Sequence, residues 1–176
     1  MLDLTDIRAA AAAIGDRCRR TELLHSHHFS GRLGLPVHFK CENLQRTGSF
    51  KLRGAFSFLL RQEPEALRRG VVTASAGNHA QGVACAAAAL GIPSLVVMPT
   101  GAPLAKILAS RDYGAEVELH GESFDEAAAR AREIETERGL LYVPPFDHLL
   151  VMAGQGTVGL EILEQLPDVQ TLLVPI

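Results

Sequence analysis

The sequence has little net charge, no tryptophan and no apolar run of membrane-spanning length. Its 176 residues carry a formal net charge of -3, so we expect no electrostatic attraction to nucleic acid or to an anionic membrane surface. The longest apolar runs, such as GVACAAAALGI, are shorter than the ~20 residues of a transmembrane helix. The N-terminus starts acidic and has no basic segment before an apolar stretch, which argues against a signal peptide.

Cysteine is also scarce. Cys18, Cys41 and Cys85 are isolated and odd in number, and no C-x-x-C pair is present. This usage fits a reducing compartment, and we expect a cytoplasmic protein with neither a disulfide framework nor a zinc cluster. The segment HSHH at residues 25–28 could suggest a metal site, but no ligand partner stands nearby at the required spacing. We therefore predict a polar loop there and no metal.

Two common loop signatures are absent as well. The sequence contains no G-x-x-x-x-G-K-[ST] and no G-x-S-x-G. Nucleotide binding by the first loop and hydrolysis by a serine nucleophile on the second are therefore unsupported.

What is present is a globular pattern in which short apolar runs alternate with longer helical segments. Hydrophobic residues make up 47% and charged residues 21%, which is typical of a folded domain with a core. Strands separated by helices imply parallel pairing with right-handed crossovers, and hence an α/β fold. The expected strands are 36–42, 70–75, 92–99, 115–119, 141–144 and 171–176. The longest irregular stretch is expected at 143–152.

Ligands of open parallel sheets bind at the carboxyl ends of strands, and the segment TASAGNHAQG at residues 73–82 occupies such a place. Ser75, Ala76 and Gly77 allow close approach to the backbone. Asn78 and His79 open a helix whose free N–H groups attract a carboxylate or a phosphate. An ordinary helix start with Asn78 as N-cap explains the same residues. The residue types alone do not decide between this interpretation and a ligand-binding turn.

Lys51, in the segment TGSFKLRGA, stands at another predicted helix start. The helix dipole disfavours a cation there and lowers the pKa of the amine, which suits a nucleophile or a base. Taken alone, Lys51 is better explained as a surface lysine, and the neighbouring Phe50 as a core residue.

Together, TGSFKLRGA and SAGNHAQGVA resemble the fold type II pyridoxal-phosphate-dependent enzymes, specifically their threonine/serine dehydratase branch. The segments RTELLHS, KCENLQ, APLAKILASRDYGAEVELHG and PPFDHLLVMAGQGTVGLEILEQL match that family in order and spacing. The resemblance implies two parallel-sheet α/β lobes with the cofactor between them. Residues 1–68 would begin the large lobe, 69–147 would form the small lobe, and 148–176 would start the C-terminal part of an incomplete large lobe.

The resemblance also implies roles for individual residues. Lys51 would form the Schiff base with pyridoxal 5'-phosphate and then act as the base that takes the substrate's α-proton. Phe50 would pack against the pyridine ring, and Asn78 would hydrogen-bond the phenolic oxygen. The substrate would be bound by the turn and helix start, namely Ser75, Ala76, Gly77, Asn78 and His79. The expected reaction converts L-threonine or L-serine to a 2-keto acid and ammonia, in a homodimer or homotetramer.

Two departures from the family pattern qualify these expectations. Ala76 stands where serine racemases of the family carry a second serine, which favours elimination over racemisation. The chain ends at Ile176, before the family's glycine-rich phosphate-binding loop, so we expect a truncated protein. If these residues are the whole molecule, weak cofactor binding and little activity are expected. The alternatives are another pyridoxal-phosphate β-eliminase or β-replacement enzyme, a racemase-like enzyme, or an inactive fragment.

Overall fold

The structure is a computed structural model that describes residues 1–174. Its helices are α1 (Leu4–Ile14), α2 (His27–Leu33), α3 (Lys51–Leu59), α4 (Pro64–Leu67), α5 (Asn78–Ala89), α6 (Leu104–Asp112), α7 (Phe124–Arg138) and α8 (Leu149–Gln165). Its strands are β1 (Leu23–His25), β2 (His38–Lys40), β3 (Val71–Ala74), β4 (Ser94–Met98), β5 (Glu116–Leu119) and β6 (Leu141–Tyr142). Short 3₁₀ helices span Gly15–Arg17 and Glu42–Leu44.

Four strands form a parallel sheet in the order β5–β4–β3–β6. Along β4, Leu95 and Val97 pack in a core with α7, whereas Val96 and Met98 pack on the opposite face with α5 and α6. Because helices cover both faces, apolar residues are required on both sides of each inner strand. The predicted α/β class with a parallel sheet is confirmed.

The strand order reverses beside β3. The chain passes from β3 to β4 and β5, and then returns to place β6 on the other side of β3. The carboxyl ends of β3 and β6 therefore flank a crevice at the switch point of the sheet. Parallel α/β proteins bind ligands in such crevices.

Helix α3 packs between α5 and α8 and carries Lys51 as its first residue. Leu52 and Phe56 of α3 share a core with Val83 of α5 and Val151 of α8. This packing fixes α3 against the helix that follows β3.

The predicted strand at 36–42 exists in part, but its expected parallel pairing is wrong. It forms β2, which pairs antiparallel with β1 through Leu24 and Phe39. Both of these side chains are exposed, so one face of this small sheet is in contact with solvent. Antiparallel pairs tolerate such a face, whereas parallel sheets are buried on both faces.

Three other expectations of local structure are corrected. Residues 171–174 form no strand, because no neighbouring strand within residues 1–174 pairs with them; Pro175 and Ile176 lie outside the described residues. The irregular stretch at 143–152 ends early, because His148 caps α8 through its Nδ1 and Val151 is buried. Residues 25–28 are not a loop, since Ser26 caps α2.

The proposed division at 68/69 and 147/148 stays a prediction, although the whole parallel sheet lies between Val71 and Tyr142. Among the described residues, no helix has the length and apolar character needed to cross a membrane.

Candidate active site

Lys51 lies at the crevice between β3 and β6. Its Nζ donates a hydrogen bond to the carbonyl oxygen of Pro145, 3.1 Å away in the segment that follows β6. The side chain is half-buried, and this burial lowers the pKa of the amine. The direction of the shift agrees with the prediction from the sequence, and burial is its cause.

Gly82 brings Lys51 next to the first turn of α5. A Cβ atom on Gly82 would lie 3.1 Å from both the carbonyl carbon and the oxygen of Lys51 and 3.2 Å from the nitrogen of Leu52. The two helices therefore meet backbone to backbone at this point. Because Gly82 lies about one helical turn after Asn78, the contact places Lys51 beside the start of α5.

The turn between β3 and α5 is open on its ligand side. Ser75 Oγ accepts a hydrogen bond from the N–H of Gly77 at 3.1 Å, and Gly77 is the N-cap residue. The alternative that Asn78 caps the helix is wrong, because Asn78 is the first helical residue and no side chain caps α5. A Cβ on Gly77 would meet only Ser75 Oγ, at 4.0 Å, among the described atoms. The uncapped N–H groups and the open space suit an anion.

The His79 side chain is buried beneath this turn. Its Nε2 lies 3.4 Å from the Val143 carbonyl oxygen, and its Nδ1 has no partner within residues 1–174. Burial lowers the pKa of His79 to about 4; the Val143 carbonyl opposes this effect and the Lys51 ammonium adds to it. His79 is therefore neutral near pH 7, which leaves Lys51 as the better placed of the two for proton transfer.

Phe50 lies beside Lys51, and Asn78 is the first residue of α5. Phe50 is half-buried, and the centre of its ring lies 5.5 Å from Lys51 Nζ. Asn78 is exposed, and its Oδ1 accepts a hydrogen bond from Lys106 Nζ at 2.6 Å. The structure thus brings together the turn after β3, Lys51 and Phe50, which the sequence analysis singled out, and their roles stay predictions. Lys106 is a neighbour that the sequence analysis missed.

A buried ion network behind Lys51 was also missed. Arg53, only 2% exposed, donates to Glu42 at 2.8 and 2.9 Å and to Glu161 at 2.6 and 3.0 Å. Lys40 Nζ donates to Glu161 at 2.5 Å. Two cations thus compensate two carboxylates where α3 meets α8 and the 3₁₀ helix at Glu42–Leu44.

The network shifts the pKa of Arg53 and of Glu161. Burial alone would lower the pKa of Arg53, but the hydrogen bonds and charges of Glu42 and Glu161 outweigh it and raise that pKa. For Glu161, burial acts to raise the pKa, and the hydrogen bonds from Arg53 and Lys40 reverse this and lower it. Arg53 and Glu161 therefore stay ionised at neutral pH, and their ion pair ties the Lys51 helix to α8.

Comparison with known proteins identifies the family. The sequence model of the family described as pyridoxal-phosphate dependent enzyme matches residues 14–176. The chain belongs to the pyridoxal-phosphate dependent enzyme family.

Relatives within this family match all or nearly all of the chain. The L-threonine ammonia-lyase of Geobacter sulfurreducens is 61% identical over 176 residues, which are 100% of this chain and 44% of that protein. Among solved structures, the processed form of threonine deaminase isoform 2 from Solanum lycopersicum aligns with a TM-score of 0.87 and 45% identity, over 94% of this chain and 45% of that one. Maize serine racemase aligns with a TM-score of 0.92 and 36% identity, over 95% of this chain and 51% of that one. The chain spans about half the length of the relatives it matches.

The residues at the crevice fit the family's cofactor chemically. Lys51 offers an amine with a lowered pKa for an aldehyde. The ring of Phe50 lies beside that amine, and the uncapped turn at Gly77 offers backbone N–H groups to an anion. A pyridoxal-phosphate dependent enzyme needs these groups close together, and this fold brings them to one crevice.

Proposed function

We propose that the protein carrying this chain uses pyridoxal 5'-phosphate to convert L-threonine or L-serine to a 2-keto acid and ammonia. The observation that carries the proposal is the Lys51 amine, half-buried 3.1 Å from the Pro145 carbonyl and next to the uncapped start of α5. The relatives from Geobacter sulfurreducens and Solanum lycopersicum are named as enzymes that act on threonine, which supports the same reaction.

Lys51 would hold the cofactor by its aldehyde and later accept the substrate's α-proton at Nζ. Its lowered pKa increases the fraction of neutral amine, which both roles require. When bound, the cofactor supplies an electron sink that stabilises negative charge at the substrate's α-carbon. Phe50 would pack against the cofactor ring, and the Asn78 amide would donate to its phenolic oxygen.

The turn after β3 would bind the substrate carboxylate. The hydroxyl of Ser75 and the N–H groups of Asn78 and His79 are the donors available there, because α5 has no side-chain cap and the Gly77 N–H already donates to Ser75 Oγ. Ala76 adds a methyl group and no proton. Since buried His79 stays neutral, it adds no charge to the site near pH 7.

The test is product formation by the protein expressed at its natural length. We expect ammonia and 2-keto acid from L-threonine or L-serine, and a loss of at least about a hundredfold in kcat/KM for Lys51→Ala. The control is Arg61→Ala, which removes an exposed positive charge just beyond α3 and should retain the activity. Unchanged activity in Lys51→Ala, or no keto acid from either amino acid, would contradict the proposal.

A racemase is the second candidate, because the maize serine racemase shares the fold with a TM-score of 0.92. Ala76 weighs against it, since racemisation needs a proton donor on each face of the substrate and alanine supplies none. The homo-oligomer expected from the family also stays a proposal, which light scattering of the natural-length protein would test.

A further inference from the structure

We infer that Lys106 is a positioning residue that fixes the orientation of the Asn78 side-chain amide. The inference rests on the proposed function, in which Asn78 donates a hydrogen bond to the cofactor. It concerns a residue on α6, a helix that supplies none of the groups assigned to the site so far.

The contact joins two helices that are rigidly packed. Lys106 lies in the first turn of α6, and the adjacent Ile107 packs in one core with Ala80 and Ala84 of α5. Lys106 Nζ lies 2.6 Å from Asn78 Oδ1 and 3.4 Å from Gln81 Oε1. The two amides are three residues apart on α5, so one ammonium reaches both along a single face of the helix.

The chemistry of the contact selects one orientation of the Asn78 amide. An ammonium has three donors and no acceptor, so it bonds the amide oxygen and not the amide nitrogen. The oxygen of Asn78 is thereby turned to Lys106, and its NH₂ group stays available to donate to a ligand. A freely rotating asparagine would present oxygen and nitrogen equally, and the oxygen would repel a phenolic oxygen that carries negative charge.

The hydrogen bond to Asn78 is also the main polar interaction of Lys106. Within residues 1–174, no carboxylate lies in ion-pair distance of Lys106 Nζ, although its side chain is half-buried. Its charge therefore acts on the two amides. Hydrogen bonds in a chain polarise one another, so an ammonium on the oxygen makes the Asn78 NH₂ a stronger donor.

The first measurement needs no cofactor. In ¹H–¹⁵N spectra of the natural-length protein without cofactor, the side-chain NH₂ signals of Asn78 are identified as those that vanish in Asn78→Ala. We expect Lys106→Met to shift these signals toward the position of free asparagine side chains, and Lys106→Arg to restore them in large part. The control Arg111→Met removes a positive charge from the last turn of the same helix and should leave them in place. Signals unchanged in Lys106→Met would overturn the inference.

The second measurement is the dissociation constant for pyridoxal 5'-phosphate in the natural-length protein, measured by absorbance titration. Loss of a charge-assisted hydrogen bond predicts about tenfold weaker binding in Lys106→Met, with Arg111→Met as the matched control. Because Lys106 acts through Asn78, Lys106→Met should have no further effect in an Asn78→Ala background. Additive losses would show that Lys106 acts independently of Asn78 and would overturn the inference.

The two proposals fail in different ways. If the cofactor forms no adduct with Lys51 in the parent protein, the proposed function fails, whereas the spectra still decide whether Lys106 holds Asn78. If the adduct forms and Lys106→Met matches Arg111→Met in both measurements, the proposed function stands and the role of Lys106 is refuted.

Discussion

Gly82 and Lys51 meet backbone to backbone, since a Cβ on Gly82 would lie 3.1 Å from the carbonyl carbon and oxygen of Lys51. The contact is the point at which the helix carrying the candidate catalytic amine touches the helix that begins at the candidate anion site. Any side chain at position 82 would push these two helix starts apart.

Gly82→Ala should therefore destabilise the fold. Overpacking a tight core contact costs about 1–3 kcal/mol, which exceeds the gain of about 1 kcal/mol in helix propensity from replacing glycine. The matched control is Gly159→Ala in α8, where an added Cβ meets no atom within 4 Å in the described part of the chain and should stabilise the helix. Urea unfolding of both variants checks this. Equal stabilisation in the two variants would contradict the tight contact.

Arg53→Met should be severely destabilising. It leaves the buried carboxylate of Glu42 without its cation and removes one of two cations from Glu161. Breaking a buried pair in this way costs about 3–5 kcal/mol, measured as the free energy of unfolding. Arg68→Met removes the exposed pair with Glu65 and should change stability little. The network would be energetically unimportant if both variants unfolded at the parent's midpoint.

His79 should make the fold sensitive to mild acid. Its pKa is lowered from 6.5 to about 4, so as pH falls through this range the unfolded state takes up a proton before the folded state does. Stability is therefore present above pH 6.5 and lost toward pH 4, by about 3 kcal/mol from this residue. His79→Gln should flatten the dependence of the unfolding free energy on pH in that window. His28→Gln, at an exposed site, should follow the parent curve, and parallel curves for all three proteins would refute the assignment.

Ala76 should limit the reaction to elimination. With L-serine as substrate, chiral chromatography should show keto acid and little D-serine. Ala76→Ser introduces a hydroxyl that can carry a proton, and should raise the D-serine fraction. D-serine as the main product of the parent would instead favour the racemase.

The sequence predicted most of the parallel sheet, and it singled out the residues of the candidate site, because both inferences depend on local signals. Apolar runs such as 92–99 mark strands buried on both faces, and Ser75, Ala76 and Gly77 mark a turn that a ligand can approach. Contacts between distant segments were not predictable in this way. Arg53 forms an ion pair with Glu161 where α3 packs on α8, and Lys106 donates a hydrogen bond to Asn78 where α6 packs on α5.

The close contact between α3 and α5 at Gly82 was also not predicted, although it left a signal in the sequence. A glycine inside a helix costs about 1 kcal/mol relative to alanine, so Gly82 amid the alanines of α5 indicates close helix packing. The pairing of β2 with β1 left none, because β1 is only three residues long and gives no recognisable strand pattern.

Borohydride reduction of the natural-length protein with pyridoxal 5'-phosphate, followed by tryptic peptide mass spectrometry, tests the central claim most directly. This chain has three lysines, Lys40, Lys51 and Lys106, and each gives a distinct peptide. Lys40 is held in the buried pair with Glu161, and Lys106 donates to Asn78, whereas burial lowers the pKa of Lys51. We predict one stable adduct on Lys51, seen as an uncleaved peptide of residues 47–53. An adduct on Lys40 or Lys106 in its place, or none on these three lysines, would contradict the account.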